Sequence, residues 1–163
     1  MDIKKFDIIL DNYKQPRLII DETKKWSKDI SEGCDNSEKT AELIYDIFDV
    51  RHRACEYVWM LSLTSDMKII GVFELFKGSI KNSIFSPREI MMSALLSGAA
   101  SIIIAHCHPS GNIEPSMEDD MVTFNLHKLC KEMGVPLMDH IIVGEGYYGM
   151  TFYSYAENKR FEK

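Results

Sequence analysis

Residues 99–105, Ala-Ala-Ser-Ile-Ile-Ile-Ala, form a short apolar run rich in β-branched side chains, and His106-Cys107-His108 follows at once. Such a run suits a strand buried on both faces. A strand of that kind needs apolar layers above and below it, so it constrains the rest of the chain. The two histidines stand where the strand ends. In extended backbone, residues i and i+2 point to the same side, so His106 and His108 can offer two imidazoles to one ion.

The residues downstream extend the pattern. Pro109-Ser110-Gly111-Asn112 is turn chemistry, and Pro115-Ser116 reads as a helix start. This loop folds Asp119 back beside the histidines. His106, His108 and Asp119 then make a three-ligand set for one divalent ion, with zinc the best match, and leave a fourth position to water. An open position points to catalysis. Ser116 and Asp119 have a second explanation, because Ser-x-x-Asp is the spacing of a capping box in which both residues satisfy free backbone N–H groups.

The spacing His-x-His-x7-Ser-x2-Asp resembles the JAMM motif of the JAB/MPN metalloprotease superfamily, and His-x-His-Pro-Ser-Gly resembles its RadC branch. Gly78-Ser79, Ser86-Pro87-Arg88-Glu89 and Asp139-His140-Ile141-Ile142-Val143-Gly144 are similar to the family's flanking segments, and the likeness runs from about residue 37 to 157. Cys107 departs from the usual Asn between the histidines. It points away from its two neighbours and reads as a buried filler.

The resemblance implies a metal-activated water that cleaves a peptide or isopeptide bond, with one zinc per chain. It makes Glu56 the candidate general base, since Glu56 opens the strand after the first helix, fifty positions before His106. Glu74 is the rival. Glu56 can equally pair with Arg51 or Arg53, and Glu74 can simply be solvated. The resemblance gives Ser116 the role of donor to the oxyanion. Three other readings stay open: a DNA-repair-associated nuclease or nucleic-acid-binding protein of the RadC type, a non-catalytic interaction module, and a metal site without a physiological substrate in the isolated domain. A deaminase fits poorly, because the His-x-Glu and Pro-Cys-x-x-Cys ligands are missing.

Composition narrows these classes. The chain has 163 residues, 45% of them hydrophobic, which suits one domain with a substantial core. A formal net charge of −6 argues against broad electrostatic contact with nucleic acid. Four cysteines without a Cys-x-x-Cys pairing, and an N-terminus lacking an apolar signal run, predict a cytoplasmic protein. No apolar stretch approaches the ~20 residues that span a bilayer, so no membrane contact is expected.

Residues 1–36 read as an N-terminal appendage to a domain over 37–163, with a short strand at Leu18-Ile19-Ile20, a short helix over Thr23–Ile30 and a loop over 31–36. From residue 37 the order is a helix to about Arg51, a hairpin (Tyr57–Leu63 and Lys68–Phe73), a helix over Arg88–Ser97 and a strand over 101–105. The motif helix, a strand over Val135–Val143, a turn at Gly144-Glu145-Gly146 and a last strand over Tyr147–Tyr155 complete it. This predicts an α/β fold, a mixed sheet flanked by helices, and resembles the cytidine-deaminase-like JAB/MPN architecture. His127 is expected on the outer helix face. Asp139 and His140 are read either as supports to the metal site or as ordinary packing and solvent contact.

Overall fold

The computed structural model describes residues 1–27, 34, 36–78 and 86–162. The architecture is a seven-stranded mixed sheet in the order β2-β1-β4-β3-β5-β6-β7. Its centre is β5 (Ser101–Cys107), in which all seven residues are buried. β3 (Glu56–Leu63) runs antiparallel to it on one side and β6 (Leu137–Gly146) parallel on the other. Alternation sends Ile103, Ala105 and Cys107 into one core and Ile102 and Ile104 into the other.

Each core has its own helical cover. α1 (Ser37–Ile47) lays Ala41, Leu43 and Ile44 on the face that carries Trp59, Leu61, Ile103 and Ile141. α2 (Pro87–Leu96) and α3 (Met117–Glu132) supply Ile90, Ala94, Leu126 and Cys130 to the face of Val58, Met60 and Ile104. β4 (Ile69–Gly78) completes the hairpin with β3, and β7 (Gly149–Ser154) pairs with β6 at one edge. The mixed sheet flanked by helices is therefore the fold. No helix among the described residues is long and apolar enough to cross a membrane.

The N-terminal residues differ from expectation. β1 (Asp2–Leu10) and β2 (Pro16–Lys25) form a hairpin, and β1 pairs in parallel with β4 through Lys5↔Val72 and Phe6↔Phe73. Thr23, Lys24 and Lys25 belong to β2, so the helix expected over 23–30 does not begin there. Their backbone groups pair with β1, which overrides a helical preference that no apolar face supports. Residues 28–30 of that helix lie outside the described residues, as do 31–33 and 35 of the expected loop.

Other boundaries shift for local reasons. The first helix stops at Ile47 instead of Arg51, because Asp49 takes a left-handed conformation (φ 50°) and a short 3₁₀ turn follows over Val50–His52. β4 continues past Phe73 to Gly78. β5 continues through His106 and Cys107, since β3 stays paired with it as far as Tyr57↔Cys107. Gly144–Gly146 are strand, and the turn is Tyr147-Tyr148, because β6 and β7 remain in register to Gly146↔Gly149.

After β7 the chain folds back over α3. Arg160 donates from Nε and Nη2 to Asp120 at 2.7 and 2.6 Å, and the Tyr155 hydroxyl donates to Asp120 Oδ1 at 3.0 Å. Phe161 stacks on His127 with centroids 4.6 Å apart. His127 is consequently half-buried instead of facing out, and its Nδ1 is buried without a partner among the described residues. The Arg160 guanidinium, opposed by desolvation and helped by Tyr155, holds the Asp120 carboxyl below its ordinary 3.8. A folded-state value below the unfolded one adds stability above that value and loses it as pH falls. Asp120→Asn is expected to cost about 1–2 kcal/mol at pH 7. In urea melts, the gap to the wild type should close as pH drops through the carboxylate range.

Candidate metal centre

His106 is the sixth residue of β5, and its side chain lies on the α2/α3 face. His108 follows just past the strand end. The intervening turn is tied by Gly111 N–H donating to the His108 carbonyl at 3.0 Å, with Gly111 at φ +74°. It packs directly on β6, where a Cβ on Gly144 would run into the Gly111 carbonyl oxygen. Asp119 enters from the first turn of α3 and is buried. The three sequence-predicted ligands do converge. His106 Nε2 and His108 Nε2 are 3.1 Å apart, Asp119 Oδ1 is 3.3 Å from the first, and Oδ2 is 3.5 Å from the second.

Hydrogen bonding decides which ring nitrogens carry protons. Thr123 has one hydroxyl proton and donates it to the Asp119 carbonyl at 2.6 Å, so its oxygen accepts from His140 Nδ1 at 2.5 Å. His140 Nε2 is then an acceptor, and takes the proton of His106 Nδ1 at 2.7 Å. His108 Nδ1 donates to the Asn112 carbonyl at 2.7 Å. The His106 Nε2 lone pair therefore points into a small space that it shares with His108 Nε2 and the Asp119 carboxylate. Such an arrangement could hold a cation.

The electrostatics agree. Burial pushes the His106 imidazole down to about 4 against the pull of Asp119, and burial also holds His140 well below its ordinary value. Burial alone would raise Asp119, but His108, His106 and both the hydroxyl and amide of Ser116 hold it well below the carboxylate range. The hydrogen bond to Asp119 raises His108. At neutral pH the set thus offers a neutral His106 and an ionised Asp119. Two imidazoles and a carboxylate fit zinc or a similar divalent ion.

Ser116 caps α3, and the capping box is complete. Its N–H and hydroxyl both donate to Asp119 Oδ2, at 2.8 and 2.6 Å, while Asp119 N–H donates back to its oxygen at 3.1 Å. The two explanations of the Ser-x-x-Asp spacing therefore coincide, since the cap is also what aims the carboxylate at the histidines.

Glu56 and Glu74 fall on different sides. Val58 opposes His106 in the β3–β5 register, so Glu56, two residues earlier, lies on the metal face, and its charge contributes to the raising of His108. Glu74 accepts a bond of 3.4 Å from the Trp59 indole, whose ring belongs to the opposite core. Cys107 is also in that core, where burial pushes its thiol up to about 11. Asp139 takes bonds from Ser37, Ser154 and the amides of His140 and Ala156, and burial raises its carboxyl against these four donors. It knits α1 to β6 and β7 and does not reach the metal set.

Thr123 and Tyr155 escaped the sequence reading. Tyr155 stacks on His140 with centroids 4.9 Å apart. The one available signal for Thr123 was its position one helical turn after Asp119.

A mixed sheet whose central strand delivers two histidines to a carboxylate on the following helix defines a JAB/MPN-type domain. The chain belongs to the RadC-like JAB domain family, whose model matches residues 34–160. It is 40% identical over 111 residues to a UPF0758 protein of Streptococcus suis, covering 68% of this chain and 44% of that protein. A UPF0758 protein of Pasteurella multocida is 35% identical over 130 residues, covering 80% and 55%. One from Streptococcus gordonii is 38% identical over 122 residues, covering 75% and 51%. The chain spans about half the length of these relatives.

Thr123→Val removes the acceptor that orients His140 and leaves the three ligands in place. Zinc affinity, measured by competition with a chromophoric chelator, is expected to fall about tenfold. Unchanged affinity in a folded variant would show that the Thr123–His140 chain does not position His106.

Proposed function

We propose that this domain is a zinc-dependent hydrolase that cleaves a peptide or isopeptide bond. The observation that carries the reading is the convergence of the two Nε2 atoms and the Asp119 carboxylate in a buried space. His106, His108 and Asp119 would hold the ion. Zinc in such a site supplies Lewis-acid polarisation and a water acidified toward ~7.

The chain's own residues carry the remaining steps. Glu56 takes the proton of the attacking water and returns it to the leaving amine. His140 and Thr123 keep the His106 proton on Nδ1, which leaves Nε2 as the donor. Ser116 donates to the oxyanion of the tetrahedral intermediate. Its hydroxyl proton lies on Asp119 in this structure, so that role requires the proton to turn away from the carboxylate. The net charge of −6 favours a peptide over a polyanionic nucleic acid as substrate. Four cysteines not joined as disulfides suit a reducing compartment such as the cytoplasm.

Elemental analysis beside peptide hydrolysis tests the assignment. Wild type is expected to carry about one zinc per chain. Glu56→Gln should retain that zinc and lose hydrolysis by about 10²–10⁴-fold, while Asp119→Ala should lose the metal itself. Wild type that takes up no zinc would sink the hydrolase reading. In the same assay Ser116→Ala should lower kcat by ~10²–10³-fold. A smaller loss accompanied by reduced zinc would mark Ser116 as a support for Asp119 alone.

A further inference from the structure

A cleft of about 130 Å³ opens directly beside His108. One wall is the turn carrying Ser110 and Gly111, and the other is formed by Arg51 and Arg53 from the short segment between α1 and β3. Arg53 is unusually constrained. Its Nε donates to the Phe48 carbonyl at 2.6 Å, and its guanidinium carbon lies 4.3 Å from the centroid of the buried Tyr57 ring. Those contacts fix the plane of the group and use one of its donors. Among the described residues Nη1 and Nη2 make no hydrogen bond or ion pair, and this half-buried side chain lines the cleft. Arg51 differs, since it lies 4.0 Å from Asp49 and over the Tyr45 ring, and adds positive charge without a comparable geometry.

From this arrangement we propose that the cleft is a substrate subsite in which Arg53 binds a carboxylate, selecting peptides with an acidic group next to the bond presented to the metal centre. The proposal rests on the peptide-hydrolase reading for the identity of the substrate. Its physical basis is independent of that reading. A guanidinium whose rotamer is already fixed pairs with a carboxylate in bidentate fashion at little further entropic cost. The size of the cleft suits one small planar anion. Glu145 in its lining adds a negative charge that opposes any anion, and a multiply charged phosphate more than a single carboxylate. The same carboxylate could be an Asp or Glu side chain or the free end of a peptide.

Nuclear magnetic resonance titration of the zinc-loaded chain separates these cases, reading the Arg53 Nε–H and Gly111 amide signals. The probes are the α-amide of N-acetylglutamic acid, with only a side-chain carboxylate, N-acetylglutamine, with only a terminal one, and N-acetylglutamine amide, with neither. At least one acid is expected to shift both signals saturably, and the neutral amide to shift neither. Whichever acid binds identifies the source of the carboxylate. Arg53→Gln should weaken that binding about tenfold or more. Arg53→Lys keeps the charge and much of the packing, and should weaken it by a smaller factor; it also serves if Arg53→Gln does not fold.

Binding that is equal in wild type, Arg53→Gln and Arg53→Lys reports carboxylate on the metal and overturns the proposal. Saturable, Arg53-dependent shifts with inorganic phosphate and with neither acid overturn it in favour of a phosphate ligand. Peptide hydrolysis measured in parallel keeps the two readings apart. Cleavage without acidic preference and without Arg53 dependence removes the subsite and leaves the hydrolase. Arg53-dependent acid binding in a zinc-loaded chain that cleaves no peptide preserves the subsite as a carboxylate site and removes the hydrolase.

Discussion

The whole arrangement depends on one strand being buried on both faces. β5 has no exposed residue, so every backbone group in it must find a partner in β3 or β6, and every side chain must pack or be hydrogen-bonded. Six of its residues meet this with apolar or small side chains. His106 does not, and an imidazole at this depth is destabilising unless both nitrogens are used. One is bonded to His140. The other faces His108 and Asp119.

That constraint propagates outward. His140 must itself be satisfied, which brings in Thr123, and its ring is covered by Tyr155. Tyr155 and Arg160 both bond Asp120, one residue after the carboxylate that faces the histidines. The return of the chain after β7 is therefore connected through a short series of contacts to the orientation of His106. On the other side of the sheet, Asp139 secures α1 to β6 and β7 in a similar way. Two buried polar networks thus brace the sheet, and only the one on the α3 side opens toward a metal.

The metal set was legible in the sequence because its geometry is local. Strand periodicity puts His106 and His108 near each other, and a capping box puts Asp119 in the first turn of a helix that starts a few residues later. The order of elements from α1 onward was legible for the same reason, through apolar periodicity. The N-terminal hairpin was legible only in part, as the short strand at Leu18-Ile19-Ile20, which lies within β2. The rest of β2 is an edge strand with mostly exposed residues, and its identity comes from pairing with β1. The role of Thr123 was hidden, and that of His140 stayed one of two readings, since His140 lies thirty-four positions from the histidine it supports.

The sequence by itself determined a doubly buried central strand, a metal-ligand pattern at its end and a helix start that supplies the carboxylate. These follow from interactions between residues close in the chain. Only the tertiary structure decided which glutamate shares a face with the metal set, which nitrogen of His106 is deprotonated, and that Arg53 is held against Tyr57 beside His108. Each of these depends on strand register or on contacts between distant segments. A face of a sheet exists only once its strands are paired, and a histidine tautomer is defined only once its partners are in place.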